Sequence, residues 1–101
     1  MSRFNKVLIT GVTGRIGRIA LDDLKEDYEI TGFARRPMDG VRHFRGDISD
    51  MQAVLPAFEG QDVVVHLAAN PSDRAPWESI WPYNMVGMYN AIEACRVHGV
   101  K

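Results

Sequence analysis

Apolar positions along the chain follow two rhythms. Lys6 to Thr10, "KVLIT", is a short apolar and β-branched run, the pattern of a strand buried on both faces of a parallel sheet. From Gly14 the period lengthens. Ile16, Ile19, Ala20 and Leu24 recur at helical spacing, with Arg15, Arg18, Asp22 and Lys25 between them, which predicts an amphipathic helix carrying those four as its apolar stripe. Tyr28 to Ala34, "YEITGFA", predicts a second strand. "RRPMDG" holds Pro37 and Gly40 and reads as a turn, after which Val41 to Gly46 alternates loosely as a shorter third strand.

Ser49, with Gln52 three residues on, resembles a capping box and places a helix start at Asp50. Pro56 removes one backbone hydrogen bond, so this helix is expected to be short or kinked. Asp62 to Ala69, "DVVVHLAA", is the clearest buried strand, and "NPSDRAP" after it is a loop. Trp77 to Gly99 carries Met85, Met88, Tyr89, Ile92 and Cys95 at helical spacing. Its regular part is expected to begin near Pro82 and to be capped by Gly99. The order is β-α-β-β-α-β-α, with little sign of a crossover element between the second and third strands. Such alternation implies the α/β class: a doubly wound, mostly parallel sheet with helices on both faces, in strand order 3-2-1-4.

Length and composition narrow the setting. A chain of 101 residues is expected to be one domain, residues 1–101, with a real but small core. Its net charge of -1 argues against a nucleic-acid or membrane surface. No apolar run is long enough to span a bilayer, and the start lacks the apolar stretch of a secretory signal. Cys95 is the single cysteine, so no internal disulfide forms, and a cytoplasmic setting is expected.

The stretch "LITGVTGRIGR" sets Gly11, Gly14 and Gly17 three residues apart, between a strand and a helix. Gly11 permits the abrupt turn. Gly14 leaves no side chain between the backbone and a bound pyrophosphate, and Gly17 lets the helix lie close. The helix N-terminus then offers N–H groups and partial positive charge to phosphates. The competing reading, a glycine-rich turn without a ligand, is weakened by the strand-before, helix-after context.

Four ordered motifs now carry a family resemblance. "TGVTGRIG" resembles the T-G-x-x-G-x-x-G signature of the extended short-chain dehydrogenases, the NAD-dependent epimerase/dehydratase superfamily. "GDISD" is similar to its strand-three Asp followed by an apolar residue, "VVVHLAA" to its strand-four motif, and "YNMVGMYNAIEACRVHGVK" to its long helix with N-x-x-G. The nearest members are sugar or uronate dehydrogenases and nucleotide-sugar epimerases. The resemblance implies a Rossmann fold and these roles. Gly11, Gly14, Arg15, Ile16 and Gly17 would cradle the pyrophosphate. Asp47 would accept from the adenine amino group, with Ile48 packed on the ring. Leu67, Ala68 and Ala69 would pass beneath the ribose and pyrophosphate, and Asn84 would approach the nicotinamide half. Asp47 as a plain turn residue and Asn84 as an ordinary helical polar residue remain open.

The end of the second strand sets the choice of dinucleotide. An acidic residue there favours NAD. This chain has "GFARRP", with Arg35 where NAD-using relatives carry Asp, and Arg36 beside it. Guanidinium groups pair with a 2′-phosphate and stack on adenine, so NADP is expected over NAD. The other reading is two solvated arginines.

Other signals are weaker. His43, His66 and His98 lack metal-ligand spacing, and His66 reads as a packed, hydrogen-bonded residue. Ser72, Asp73 and Arg74 follow strand four, at the carboxyl end of the sheet where ligands bind. In the family this loop touches substrate; a plain surface loop is the alternative. Trp77 and Trp81 read as core before pocket wall, and Cys95 as a small buried apolar residue.

Family catalysis uses a Tyr with a Lys four residues later, and a Ser or Thr on the same substrate oxygen. Here Tyr28, Tyr83 and Tyr89 are followed at that distance by Gly32, Gly87 and Glu93. The expectation is the dinucleotide-binding front portion of an enzyme moving hydride between a sugar-like alcohol and NADP or NAD. By itself it would bind nucleotide without turnover. A stand-alone nucleotide sensor and a protein acting only by association through its sheet are the alternatives. With no fifth strand in the chain, the edge of "DVVVHLA" is expected to pair two copies into a homodimer.

Overall fold

The computed structural model describes residues 5–68 and 81–100, with main chain alone at 81–83. Four strands form one parallel sheet: β1 (Lys6–Thr10), β2 (Glu29–Ala34), β3 (Arg42–Arg45) and β4 (Val63–His66), in the order β3-β2-β1-β4. This is the expected doubly wound order. β1 lies at the centre, with Lys6 beside Glu29 on one side and Val7 beside Val63 on the other. Its alternate residues serve opposite faces. Val7 and Ile9 join Val12, Ile30 and Ala34 beneath helix α1 (Arg15–Leu24). Leu8 joins Phe33, Ile48, Val54 and Phe58 on the other face. There α2 (Met51–Phe58) packs with α3 (Gly87–His98), which follows a π-helical stretch, Trp81–Val86. Burial on both faces is why β1 reads as an unbroken apolar run.

β2 and β3 are parallel yet joined by residues 35–41 with no helix between them. The register explains this. Arg42, the first residue of β3, sits beside Thr31, so the chain steps back along β2 only from position 34 to 31. At one strand rise per residue that is about 10 Å, which a loop spans.

Three expectations about the helices need correction. Asp50, not Ser49, caps α2: its carboxylate accepts the Gln52 N–H at 3.0 Å. Ser49 instead turns back, donating N–H and Oγ–H to Asp47 Oδ1 at 2.9 and 2.8 Å. α2 is short, as Pro56 implied. Two of its last carbonyls are taken by side chains: Leu55 O accepts from His98 Nε2 at 2.9 Å and Ala57 O from Gln61 Nε2 at 3.4 Å.

The apolar stripes of α1 and α3 are rotated from the sequence expectation. In α1 the core-facing line is Gly17, Ala20, Leu21 and Leu24, while Ile16 and Ile19 are exposed. In α3 the buried line is Gly87, Asn90, Ala91 and Ala94, while Met88, Tyr89 and Ile92, and Met85 on the preceding π-helical stretch, are exposed. Both helices are held in place by small residues that allow close backbone approach, a feature hydrophobic periodicity does not register. Gly99 does cap α3, in the left-handed region at φ 68°. The Val100 N–H reaches back to Cys95 O at 2.9 Å, closing a Schellman turn.

Candidate functional site

The site is built where β1 ends. Gly11 takes φ +71°, a conformation that side chains resist, and its N–H donates to Phe33 O on β2 at 2.7 Å. The turn also presses on the end of β4. A Cβ at Gly11 would lie 2.8 Å from the Ala68 nitrogen and the Leu67 carbonyl carbon. Gly17 closes the turn from the helix side: a Cβ there would run into the Gly11 carbonyl oxygen and lie 2.8 Å from Val12 Cα. Gly17 thus seats α1 on the glycine turn itself. Gly14 differs. It is exposed, holds an ordinary extended conformation, and a Cβ would meet only the Gly11 carbonyl oxygen, at 3.3 Å.

Gly14 is the N-cap of α1 and supplies no side-chain hydrogen bond, and the first turn of α1 holds no acidic residue. The first N–H groups of the helix, with the partial positive charge of its dipole, therefore lack a side-chain acceptor from their own cap. Arg18 Nε steadies the turn by donating to Thr13 O at 3.1 Å.

These residues border a cavity of about 770 Å³ at the carboxyl ends of the strands. Gly11, Gly14, Arg15, Ile16 and Gly17 form one wall. Phe33, Ala34, Arg35 and Arg36 form another, Gly46 and Ile48 a third, and Leu67 and Ala68 the floor. Among the described lining residues, Arg15, Arg35 and Arg36 are the charged ones, and all three are cationic. Volume, open backbone and one sign of charge suit an elongated polyanionic ligand. Gly14, which lines the cavity at the helix N-terminus and whose Cβ position meets only the Gly11 carbonyl oxygen, leaves room there that fits a dinucleotide pyrophosphate.

Most of the residues singled out in the sequence therefore come together. Asp47 and Ile48 separate: Ile48 lines the cavity, whereas Asp47 lies outside its lining, exposed, with Oδ1 engaged by Ser49. Asn84 is half-buried on the π-helical stretch and is not part of the wall. Ala69, Ser72, Asp73, Arg74 and Trp77 lie outside the described residues, as does the side chain of Trp81.

Sequence reading passed over several contributors. Thr13, Phe33, Ala34 and Gly46 line the cavity. All except Thr13 sit at the ends of β2 and β3, so the rule that ligands bind at strand carboxyl ends would have found them. Asn90 is buried in α3 and its Nδ2 donates to Ile48 O at 3.0 Å, fixing the third wall from behind. Gly87 makes room for that wall: a Cβ there would lie 2.6 Å from Ile48 Cγ2.

Beneath the floor, Thr10 is fully buried. Its hydroxyl accepts the N–H groups of Leu67 at 3.0 Å and Ala68 at 3.2 Å, and lies 2.8 Å from His66 Nδ1. Burial holds the His66 pKa below its ordinary value, which favours the neutral ring. Among the described residues no cluster of His, Cys, Asp or Glu is arranged to hold a metal ion, and no helix is long and apolar enough to cross a membrane.

Comparison with known proteins matches the same features. Residues 7–101 match the NAD dependent epimerase/dehydratase family. An L-arabinose 1-dehydrogenase (NAD(P)(+)) of Haloferax volcanii is 39% identical over 89 residues, covering 88% of this chain and 35% of that protein. A uronate dehydrogenase of Pseudomonas putida is 31% identical over 104 residues, covering 97% of this chain and 38% of that one. Among solved structures, a mutant uronate dehydrogenase from Agrobacterium tumefaciens complexed with NAD superposes with a TM-score of 0.85 at 33% identity. It covers 94% of this chain and 37% of that one. The chain spans about a third of the length of the curated relatives it matches, 35%, 31% and 40% for three of them.

Proposed function

Because the chain belongs to the NAD-dependent epimerase/dehydratase family, we propose that its cavity binds a dinucleotide and that it takes NADP in preference to NAD. The observation that carries the reading is the cavity itself: a glycine cradle at the N-terminus of α1, with Arg15, Arg35 and Arg36 on its walls and no described carboxylate among them. The pyrophosphate lies along Gly11 to Gly17. The adenosine end lies between Ile48 and the end of β2, so that a 2′-phosphate falls beside Arg35 and Arg36. The Arg35 carbonyl is held by Arg45 Nε at 3.0 Å, which ties the turn carrying both guanidiniums to β3. Charge-assisted hydrogen bonds to the 2′-phosphate favour NADP by about 1.5–3 kcal/mol. The relative named for both NAD and NADP is consistent with a cofactor choice that varies in this group.

The whole protein, in this reading, moves a hydride between that dinucleotide and the carbinol carbon of a sugar-like substrate. The nicotinamide supplies the hydride chemistry. This portion contributes binding and orientation: α1 and the floor hold the phosphates, and Asn84 with the loop bearing Ser72, Asp73 and Arg74 borders the reacting end. None of the tyrosines here has a lysine four residues on, so the 101-residue chain alone binds without turnover. It also pairs with a second copy along the outer edge of β4, which no described strand covers.

Titration calorimetry with NADP and NAD at low salt tests the cofactor reading. NADP is expected to bind roughly tenfold or more tightly, and Arg35→Asp should reverse the order. Equal affinity for both would leave the arginines as solvated surface charge. Activity of the full-length protein on a panel of aldoses and uronates tests the substrate class.

A further inference from the structure

We propose that His66 is a positioning residue for the dinucleotide site, acting through the Thr10 hydroxyl on the peptide that supports the glycine turn. The proposal rests on the cavity being the dinucleotide site.

The argument is one of hydrogen-bond capacity. A threonine hydroxyl has one proton to donate and two lone pairs to accept with. Thr10 Oγ1 uses both lone pairs on the N–H groups of Leu67 and Ala68, at 3.0 and 3.2 Å. Only its proton remains for the 2.8 Å contact to His66 Nδ1, so that nitrogen is an acceptor and the ring proton sits on Nε2. His66 lies directly beside Thr10 in the β1–β4 register, so the contact follows from strand pairing and needs no loop to place it.

The chain of contacts leads to the cofactor cradle. With its proton drawn to Nδ1, the Thr10 hydroxyl points both lone pairs at the Leu67 and Ala68 amides. The Leu67 N–H is shared with the Thr10 carbonyl at 3.1 Å, so the hydroxyl is what holds Ala68 and completes the hold on Leu67. Gly11 rests on this same peptide, with no space for a Cβ between them. Releasing the hydroxyl lets the floor shift, and the glycine turn shifts with it. A ring protonated at Nδ1 would reverse the arrangement: three donors would face one hydroxyl, whose own proton would have no partner.

Two readouts test this. In the ligand-free native protein with 15N-labelled histidine, His66 should show a bare Nδ1 and a protonated Nε2. A protonated Nδ1 would overturn the proposal without reference to any ligand. Second, dinucleotide affinity should fall roughly tenfold in His66→Leu and in Thr10→Val, each of which removes one partner while keeping an apolar shape. His66→Asn, whose amide oxygen can stand in for Nδ1, and Thr10→Ser, which keeps the hydroxyl, should restore most of it. Should Thr10→Val fail to fold, the His66 pair and the tautomer still decide. A His66→Leu variant that binds like the native protein sinks the relay alone. Failure of the native protein to bind either dinucleotide sinks the cofactor reading and the positioning role together.

Discussion

The three glycines of the turn are not interchangeable, and substitution should separate them. Gly14 is exposed, in an extended conformation open to any residue, and faces the cavity. Gly14→Val should therefore keep the fold, with a Tm within about 3 °C of native, while abolishing nucleotide binding by calorimetry. Unchanged affinity would show that phosphates do not lie along this turn. Gly17 has backbone where its Cβ would go. Gly17→Val should destabilise the fold by about 1–3 kcal/mol or more, seen in urea unfolding, and so lose binding indirectly. A third residue-scale effect lies away from the site. Asp62 Oδ2 accepts the N–H groups of Asn5 and Lys6 at 3.0 and 2.9 Å, tying the start of β4 to the start of β1. Those bonds hold its pKa below the ordinary carboxylate value. A depressed folded pKa means stabilisation that is complete above the unfolded pKa and lost as pH falls through the folded one. The Tm difference between the native protein and Asp62→Ala should be greatest near neutrality and shrink toward pH 3, which melting curves across that range would show.

At the scale of elements, α3 supports the cavity wall at Ile48 from behind without lining the cavity itself. Gly87 lies against Ile48 and Asn90 holds its carbonyl, so one helix face fixes a residue that touches both core and cavity. Asn90→Leu should leave the Ile48 carbonyl buried without its partner, a loss of about 1–3 kcal/mol, and should weaken dinucleotide binding at the adenosine end. An unchanged unfolding midpoint would mean that the carbonyl finds another donor. The outward face of α3, with Met88, Tyr89 and Ile92, and Met85 just before it, has no such task within the described residues. On α1 the two exposed isoleucines differ: Ile16 lines the cavity, whereas Ile19 is an apolar side chain that neither the sheet nor the cavity lining uses.

For the whole molecule, the outer edge of β4, beside which no described strand lies, is the feature with a direct consequence. Its strand is β-branched and uncharged over Val63 to Val65, and its outer hydrogen-bonding groups have no described strand beside them. The 101-residue chain should self-associate in light scattering across a concentration series. Amides on the outer side of β4 should gain exchange protection as it does so. A single-chain mass at high concentration would rule this out. Val64 is unsuited as a probe, because it packs against the core around Leu8 and a lysine there would unfold the protein first. Ile92→Lys is the better control: if it alone dissolves the association, the contact is the α3 stripe and not the strand edge.

What the sequence determined by itself was local and repetitive. The apolar run of β1, the strand-glycine-helix turn, Pro56 shortening α2 and Gly99 ending α3 each depend on a few adjacent residues, and each appears where the pattern placed it. The cradle was legible for the same reason: glycine spacing between a strand and a helix constrains the backbone whatever surrounds it. Tertiary structure decided which helix faces turned inward, because Gly17, Gly87, Ala91 and Ala94 gain their packing from closeness to a neighbour and carry almost no hydrophobic signal of their own. It also decided the Thr10–His66–floor contacts and the Asn90 support of Ile48, which join residues separated by 42 to 58 positions. Only strand register and helix docking bring such groups to hydrogen-bonding distance.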